Sequence, residues 1–320
     1  MPVLAAPSRI CRGWGAVFLL GAAALCLHTA PVRAETRNVP AQPSLTVVLS
    51  ERGGSYEEFG AALDRLLSGR GVGGYRVITA ADPLPASGLV IAVGMKAAAA
   101  VAASEAPLVL NVLITKASQG ALLRDFPRRA NSRSYSAIYL DQPASREARL
   151  IAAILPAGKG SVGLLYATPP RELAQLQEKL GELGLTLHAQ EVDAALPLPE
   201  ALRQVLERSD ALLAVPDPAV YNDSTIRNVL LSSYRAEVPL IGLSPGYVKA
   251  GALCAVFTTP AQVAAQAAAV AVQAAETQAL PAAQYPQEFE VMVNEQVARS
   301  LNLRVRAAAA LHDEIEESPQ

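Results

Sequence analysis

Residues 239–247 read PLIGLSPGY, and within them Gly242-Leu243-Ser244-Pro245-Gly246 is a literal G-x-S-x-G. On a strand-to-helix turn this spacing exposes a serine nucleophile, and the chemistry would be acyl transfer. That chemistry needs the backbone N–H of the residue after the serine to help bind the oxyanion. The next residue here is Pro245, which has no N–H. An acid and then a histidine should also follow the serine, and the only downstream histidine is His312, in a polar C-terminal stretch. Ser244 is therefore expected to have no catalytic role, and the chain is not expected to be an enzyme. Gly69, Gly71 and Gly74 spell G-x-G-x-x-G, but they close a helical pattern and precede Tyr75-Arg76-Val77. A dinucleotide fingerprint runs in the opposite order, strand first and helix after, so these glycines read as a helix stop and a turn. His188 and His312 lie far apart, and Cys254 sits alone in an apolar run. No metal site and no cofactor are expected, and Cys254 reads as a buried core thiol.

What remains is a set of polar and aromatic residues placed by the elements that precede them. Short apolar runs alternate with segments of helical period through the chain. Leu45 to Leu49, Leu89 to Val93, Leu108 to Ile114 and Ala137 to Leu140 read as strands of a first series. Val162 to Leu165, Leu185 to Val192, Ala211 to Val215, Val238 to Gly242 and Cys254 to Phe257 continue as a second, with a late strand at Phe289 to Val293. Continuous apolar strands alternating with helices predict parallel sheets covered on both faces. Roughly ten strands are too many for one sheet and fit two α/β lobes. Ligands of open parallel sheets bind beyond the carboxyl ends of the strands. Those ends carry Ser55 and Tyr56, Met95, Thr115, Tyr166, Asp217, Tyr221, Asn222 and Ser244, the candidate ligand-binding residues. Asn222, Asp223 and Ser224 read equally as caps of the helix behind them. Asp217 stands between two prolines just past a buried strand, where a carboxylate needs a partner.

The N-terminus is read apart from the fold. Arg9 and Arg12 precede an apolar run from Trp14 to Leu27, and Val32-Arg33-Ala34 offers small residues at a cleavage site. This is the pattern of a secretory signal peptide over residues 1–34. The apolar run is short for a bilayer span, and Leu25 is a poor neighbour for a lipidated Cys26. Residues 1–34 carry three arginines and no acid, so the remainder holds 24 cations against 29 acids, a net −5. No basic stripe is present, which argues against nucleic acid as a partner.

The stretch AVPDPAVYNDSTIRNVLLSSYRAEVPLIGLSPGYVKAGALCAVFTTPAQVAAQAA, with SAIYLDQPASREARLIAAILP before it and FEVMVNEQVARSLNL after it, resembles the substrate-binding proteins of ABC importers, in the subfamily with tryptophan- and tyrosine-binding members. The resemblance implies a type I periplasmic binding protein fold: two Rossmann-like lobes with parallel sheets, closing on a ligand, with three interlobe crossings. The implied layout is a first lobe over 35–140, a second over 141–251, a return to the first over 252–280, a C-terminal part of the second over 281–310, and a disordered tail over 311–320. It would place Asp217 and Asn222 in the cleft, with Asp217 on a ligand amino group. Relatives often carry Thr-Asp-Pro where this chain has Thr115-Lys116-Ala117, a cation in place of the acid. Lys116 is open between facing a ligand carboxylate and being solvated. The implied function is a monomeric periplasmic solute-binding protein for a small polar or aromatic, amino-acid-like molecule, serving an inner-membrane ABC permease. The alternative is a periplasmic sensor or accessory module serving a signalling or outer-membrane receptor.

Overall fold

The computed structural model describes residues 45–69, 75–130 and 132–317. The expected signal segment and Gly71 and Gly74 lie outside the described residues. The first sheet has five parallel strands in the order β2-β1-β3-β4-β5: β1 (Leu45–Leu49), β2 (Arg76–Thr79), β3 (Leu89–Val93), β4 (Leu108–Ile114) and β5 (Tyr135–Tyr139). Its strands are apolar on both sides because both faces are covered. Val47, Ile91, Leu110 and Ile138 join a core with α1 (Gly54–Ser68), while Val48, Val90 and Val109 face α2 (Met95–Ala103) and α3 (Lys116–Asp125).

The second lobe opens with α4 (Ala144–Ile154), β6 (Ser161–Tyr166), α5 (Leu173–Glu182), β7 (Thr186–Glu191), α6 (Leu198–Leu206), β8 (Ala211–Leu213), α7 (Ile226–Arg235), β9 (Leu240–Gly242), α8 (Pro245–Ala250) and β10 (Cys254–Phe257). The chain then returns to the first lobe as α9 (Pro260–Thr277). Thr259 and Gln262 form a reciprocal capping box at its start. Its alanines at 264, 267, 268 and 271 let it lie close against α1. Finally β11 (Glu290–Val293), α10 (Glu295–Ser300) and α11 (Ala308–Glu317) rejoin the second lobe, whose six strands run β11-β10-β9-β8-β6-β7.

Three differences from the sequence expectation have physical reasons. First, β11 is antiparallel to β10, although parallel sheets were expected. The chain leaves β10 at the crossing, visits the first lobe and comes back at the same crossing, so the next strand must run away from it. Second, the return segment begins near residue 258 rather than 252, because Cys254–Phe257 pairs with β9. It ends near 285 rather than 280, because Gln284 bridges to Ile138 of β5. Third, residues 311–317 are helical and not a disordered tail. Leu311 and Ile315 of α11 are buried in the second core. His312 stacks on Phe289 at 4.5 Å between ring centres. Cys254 is fully buried, as expected, and burial pushes its thiol up to about 12.

The three crossings are tied into one hydrogen-bonded joint. Gln142, on the first, donates to Thr258 on the second (2.9 Å), and Thr258 donates to the carbonyl of Glu288 on the third (2.9 Å). Arg146 binds the first and third together through Gln142 (2.6 Å) and the carbonyls of Pro286 and Gln287, its guanidinium over the Phe289 ring at 4.1 Å.

Candidate functional site

A cavity of about 570 Å³ opens beside this joint, between α3 of the first lobe and the carboxyl ends of the second-lobe strands. This is the size of a small-molecule pocket. Leu164, Leu213 and Ile241 stand in register on β6, β8 and β9, and with Val256 of β10 they make an apolar floor. Leu173 and Leu176 of α5 and Ala144 of α4 close the sides. The first lobe contributes Thr115, Ala117 and Arg124. A bulge in β4 turns that edge toward the cleft: pairing with β5 shifts between Val112 and Ile114, and Leu113 takes φ 53°.

The lobes touch across the cavity mouth. The Lys116 ammonium, first lobe, pairs with Glu172 of the second at 2.8 Å and donates to the Tyr285 hydroxyl at 3.0 Å. It also lies over the rings of Tyr285 and Tyr139, at 5.0 and 5.9 Å. Burial pulls this ammonium down, but Glu172 and Tyr285 more than offset it and hold it above the usual lysine range. Arg171, next to Glu172, packs its guanidinium against Gly120 of α3, where an added Cβ would come within 3.0 Å of Cζ. Lys116 is thus partly exposed and already paired, with Glu172 and the Tyr285 hydroxyl. Asp141, at the first crossing, accepts from the Lys116 N–H at 2.6 Å, and burial raises its carboxyl.

Of the nine candidates, Thr115, Asp217 and Ser244 line this cavity and the other six do not. Thr115 also caps α3 by accepting from the Ser118 N–H. Asp217 is buried as expected, and its partners are backbone. One oxygen accepts from Ala167 and Thr168 at 2.7 and 3.0 Å, the other from Ala219 at 3.0 Å. Ser244 sits at the N-cap of α8 with no side-chain cap bond, so its hydroxyl lies at the cavity wall uncommitted to the helix. Tyr166 packs at the edge of the second core. Tyr221 is 6% exposed inside that core and points its hydroxyl at the Leu213 carbonyl. Asn222 builds the loop before α7, accepting from Ser224 and donating to Pro218. Ser55 and Met95 are exposed at the first-lobe helix starts. Tyr56 covers Gly94, at φ 82°, where a Cβ would fall 2.6 Å from its ring.

The sequence reading missed Glu147. It lies on α4 three residues after Ala144 and four before Ile151, on the face that is otherwise buried and apolar. A charged residue in an apolar stripe was the available signal. It is half-buried and lines the cavity. Burial pushes its carboxyl up to about 8, and Asp141 and Glu172 push the same way. Among the described residues no group of three or more metal-ligating side chains gathers, and no helix is long and apolar enough to cross a membrane.

Solved structures repeat this architecture. An ABC domain in complex with L-Trp from Streptococcus pneumonia superposes with a TM-score of 0.58 at 15% identity, over 84% of this chain and 98% of that one. A conserved domain protein from Vibrio cholerae gives 0.59 at 17% identity, over 84% and 97%. A ligand-free, open substrate binding protein with adhesive properties from Clostridium difficile gives 0.62 at 13% identity, over 82% and 96%. At these identities the likeness is one of fold: two lobes of the type I periplasmic binding protein kind. Among curated proteins none matches this chain. The family described as ABC transporter substrate binding protein matches residues 88–311, which span the cavity, the joint, strands β3 to β5 of the first sheet and the whole of the second. It is a family of binding proteins rather than of enzymes, and this chain belongs to it.

Proposed function

We propose that the protein is an exported solute receptor of an ABC importer, which holds one small molecule in the cavity between α3 and the second-lobe strand ends and performs no catalysis. The observation that carries this reading is the cavity itself, apolar within, rimmed by charge and contributed by both lobes at their joint. A solute bound there touches both lobes, so its differential affinity favours their closed arrangement. An inner-membrane permease would then read closure from the outer faces of the two lobes. Thr115 and Ser244 are the polar contacts offered from opposite sides of the cavity. Ser244 acts as a hydrogen-bonding hydroxyl, since Pro245 begins α8 with no N–H to offer an oxyanion. The leader-like residues 1–34 support export to the periplasm.

A thermal-shift screen with amines, amino acids, carboxylates and sugars tests the reading. Ala117 is exposed at the rim, so Ala117→Trp fills the mouth without disturbing the core. At least one solute is expected to raise the wild-type midpoint and to leave Ala117→Trp unmoved. A solute that stabilises both proteins equally would place binding elsewhere.

A further inference from the structure

We propose that the cavity takes an organic cation, a primary amine carried on an apolar body, whose ammonium pairs with the Glu147 carboxylate beneath α4. The inference rests on reading the cavity as a solute site, and it names the class of solute.

Four carboxyl groups line the cavity: Asp141, Glu147, Glu172 and Asp217. Three of them are engaged. Asp141 holds the Lys116 N–H, Glu172 holds the Lys116 ammonium, and Asp217 holds three backbone N–H groups. Among the described residues no hydrogen bond or ion pair engages the Glu147 carboxyl, in a cavity whose floor and sides are largely leucine, isoleucine, valine and alanine. Its neighbour Arg146 turns away to the crossings. The other cations on the lining, Arg124 and Arg171, are exposed at the first-lobe side, and Tyr285 is taken by Lys116.

A carboxylate in such surroundings needs a cation or a proton. Without a cation beside it, Glu147 keeps its proton to about pH 8. A solute carboxylate placed near it would add a further negative charge next to Asp141 and Glu172. A sugar would bring hydroxyls to an apolar floor that offers them no partners. An ammonium supplies the missing charge, and an apolar body fills the space over Leu164, Leu213, Ile241 and Val256.

Calorimetry on the full chain with 2-phenylethylamine, 3-phenylpropionate, 2-phenylethanol and phenylalanine, at pH 6 and pH 9, tests this. The amine is expected to bind tightest. Its affinity should rise on the order of 50-fold from pH 6 to pH 9 as Glu147 gives up its proton, while the amine stays charged. Glu147→Gln keeps the shape of the side chain. It should weaken the amine at least tenfold at pH 9 and flatten the pH dependence, with the circular dichroism spectrum unchanged. The proposal is overturned if the wild type does not bind the amine, if a neutral or anionic probe binds as tightly, or if Glu147→Gln retains both affinity and pH slope. Ala117→Trp separates the two levels. If another probe binds wild type and is lost in Ala117→Trp, the solute site stands and the amine class falls. If binding persists in Ala117→Trp, both fall.

Discussion

At the scale of single residues, Asp217 shows a carboxylate whose burial is legible in the sequence while its structural partners are not. Asp217 follows a buried strand between two prolines, so its burial and its need for hydrogen bonds are legible in the sequence. Its partners are not, because Ala167 and Thr168 are fifty residues away and come beside it only through the pairing of β6 with β8. These bonds tie the loop that carries Thr168 and Glu172 to the loop after β8. Asp217→Ala would leave three N–H groups without their charged acceptor. The expected loss is about 2–3 kcal/mol of stability, measured by urea denaturation. A variant with wild-type stability and weakened solute binding would instead make Asp217 a direct ligand contact. Glu147 is the reverse case. Its type and its place on the α4 stripe were visible, but its significance depends on a cavity that only the packed second lobe creates.

Among elements, alternating apolar runs and helical periods locate the strands well, since buried parallel strands announce themselves by composition. Direction and partnership are less legible. The antiparallel β11 and the membership of β10 follow from where the chain crosses between lobes, which local pattern does not encode. The helix α11 was hidden by its acidic surface, because Leu311 and Ile315 alone among its residues are fully buried. An ion pair between the lobes is made by two helix starts: Lys116 at the first turn of α3 meets Glu172 at the start of α5. Both side chains are about a third exposed or less, so the pair sits between a surface ion pair and a buried one. Such a pair is worth about 1 kcal/mol, enough to shift an open–closed balance several-fold. Lys116→Met is therefore expected to populate a more open arrangement of the lobes. Small-angle scattering should show a larger radius of gyration for the variant at low salt, with the difference shrinking at 1 M salt as the wild-type pair is screened. Identical scattering curves at low salt would mean the pair does not bias closure.

At the scale of the whole molecule, two lobes, three crossings and one joint place a cavity where both lobes can hold a solute. The hydrogen-bonded chain from Gln142 through Thr258 to Glu288 ties the joint together, and Lys116, Glu172 and Arg171 make the contacts between the lobes beside the cavity. Hydrogen exchange with the solute that gives the largest thermal shift tests this account most directly. Added protection is expected in both lobes together, at residues 115–117, 140–147, 168–173, 215–218 and 241–244, which surround the cavity. Protection confined to the first-lobe helix starts at Ser55, Tyr56 and Met95, or to one lobe alone, would contradict it.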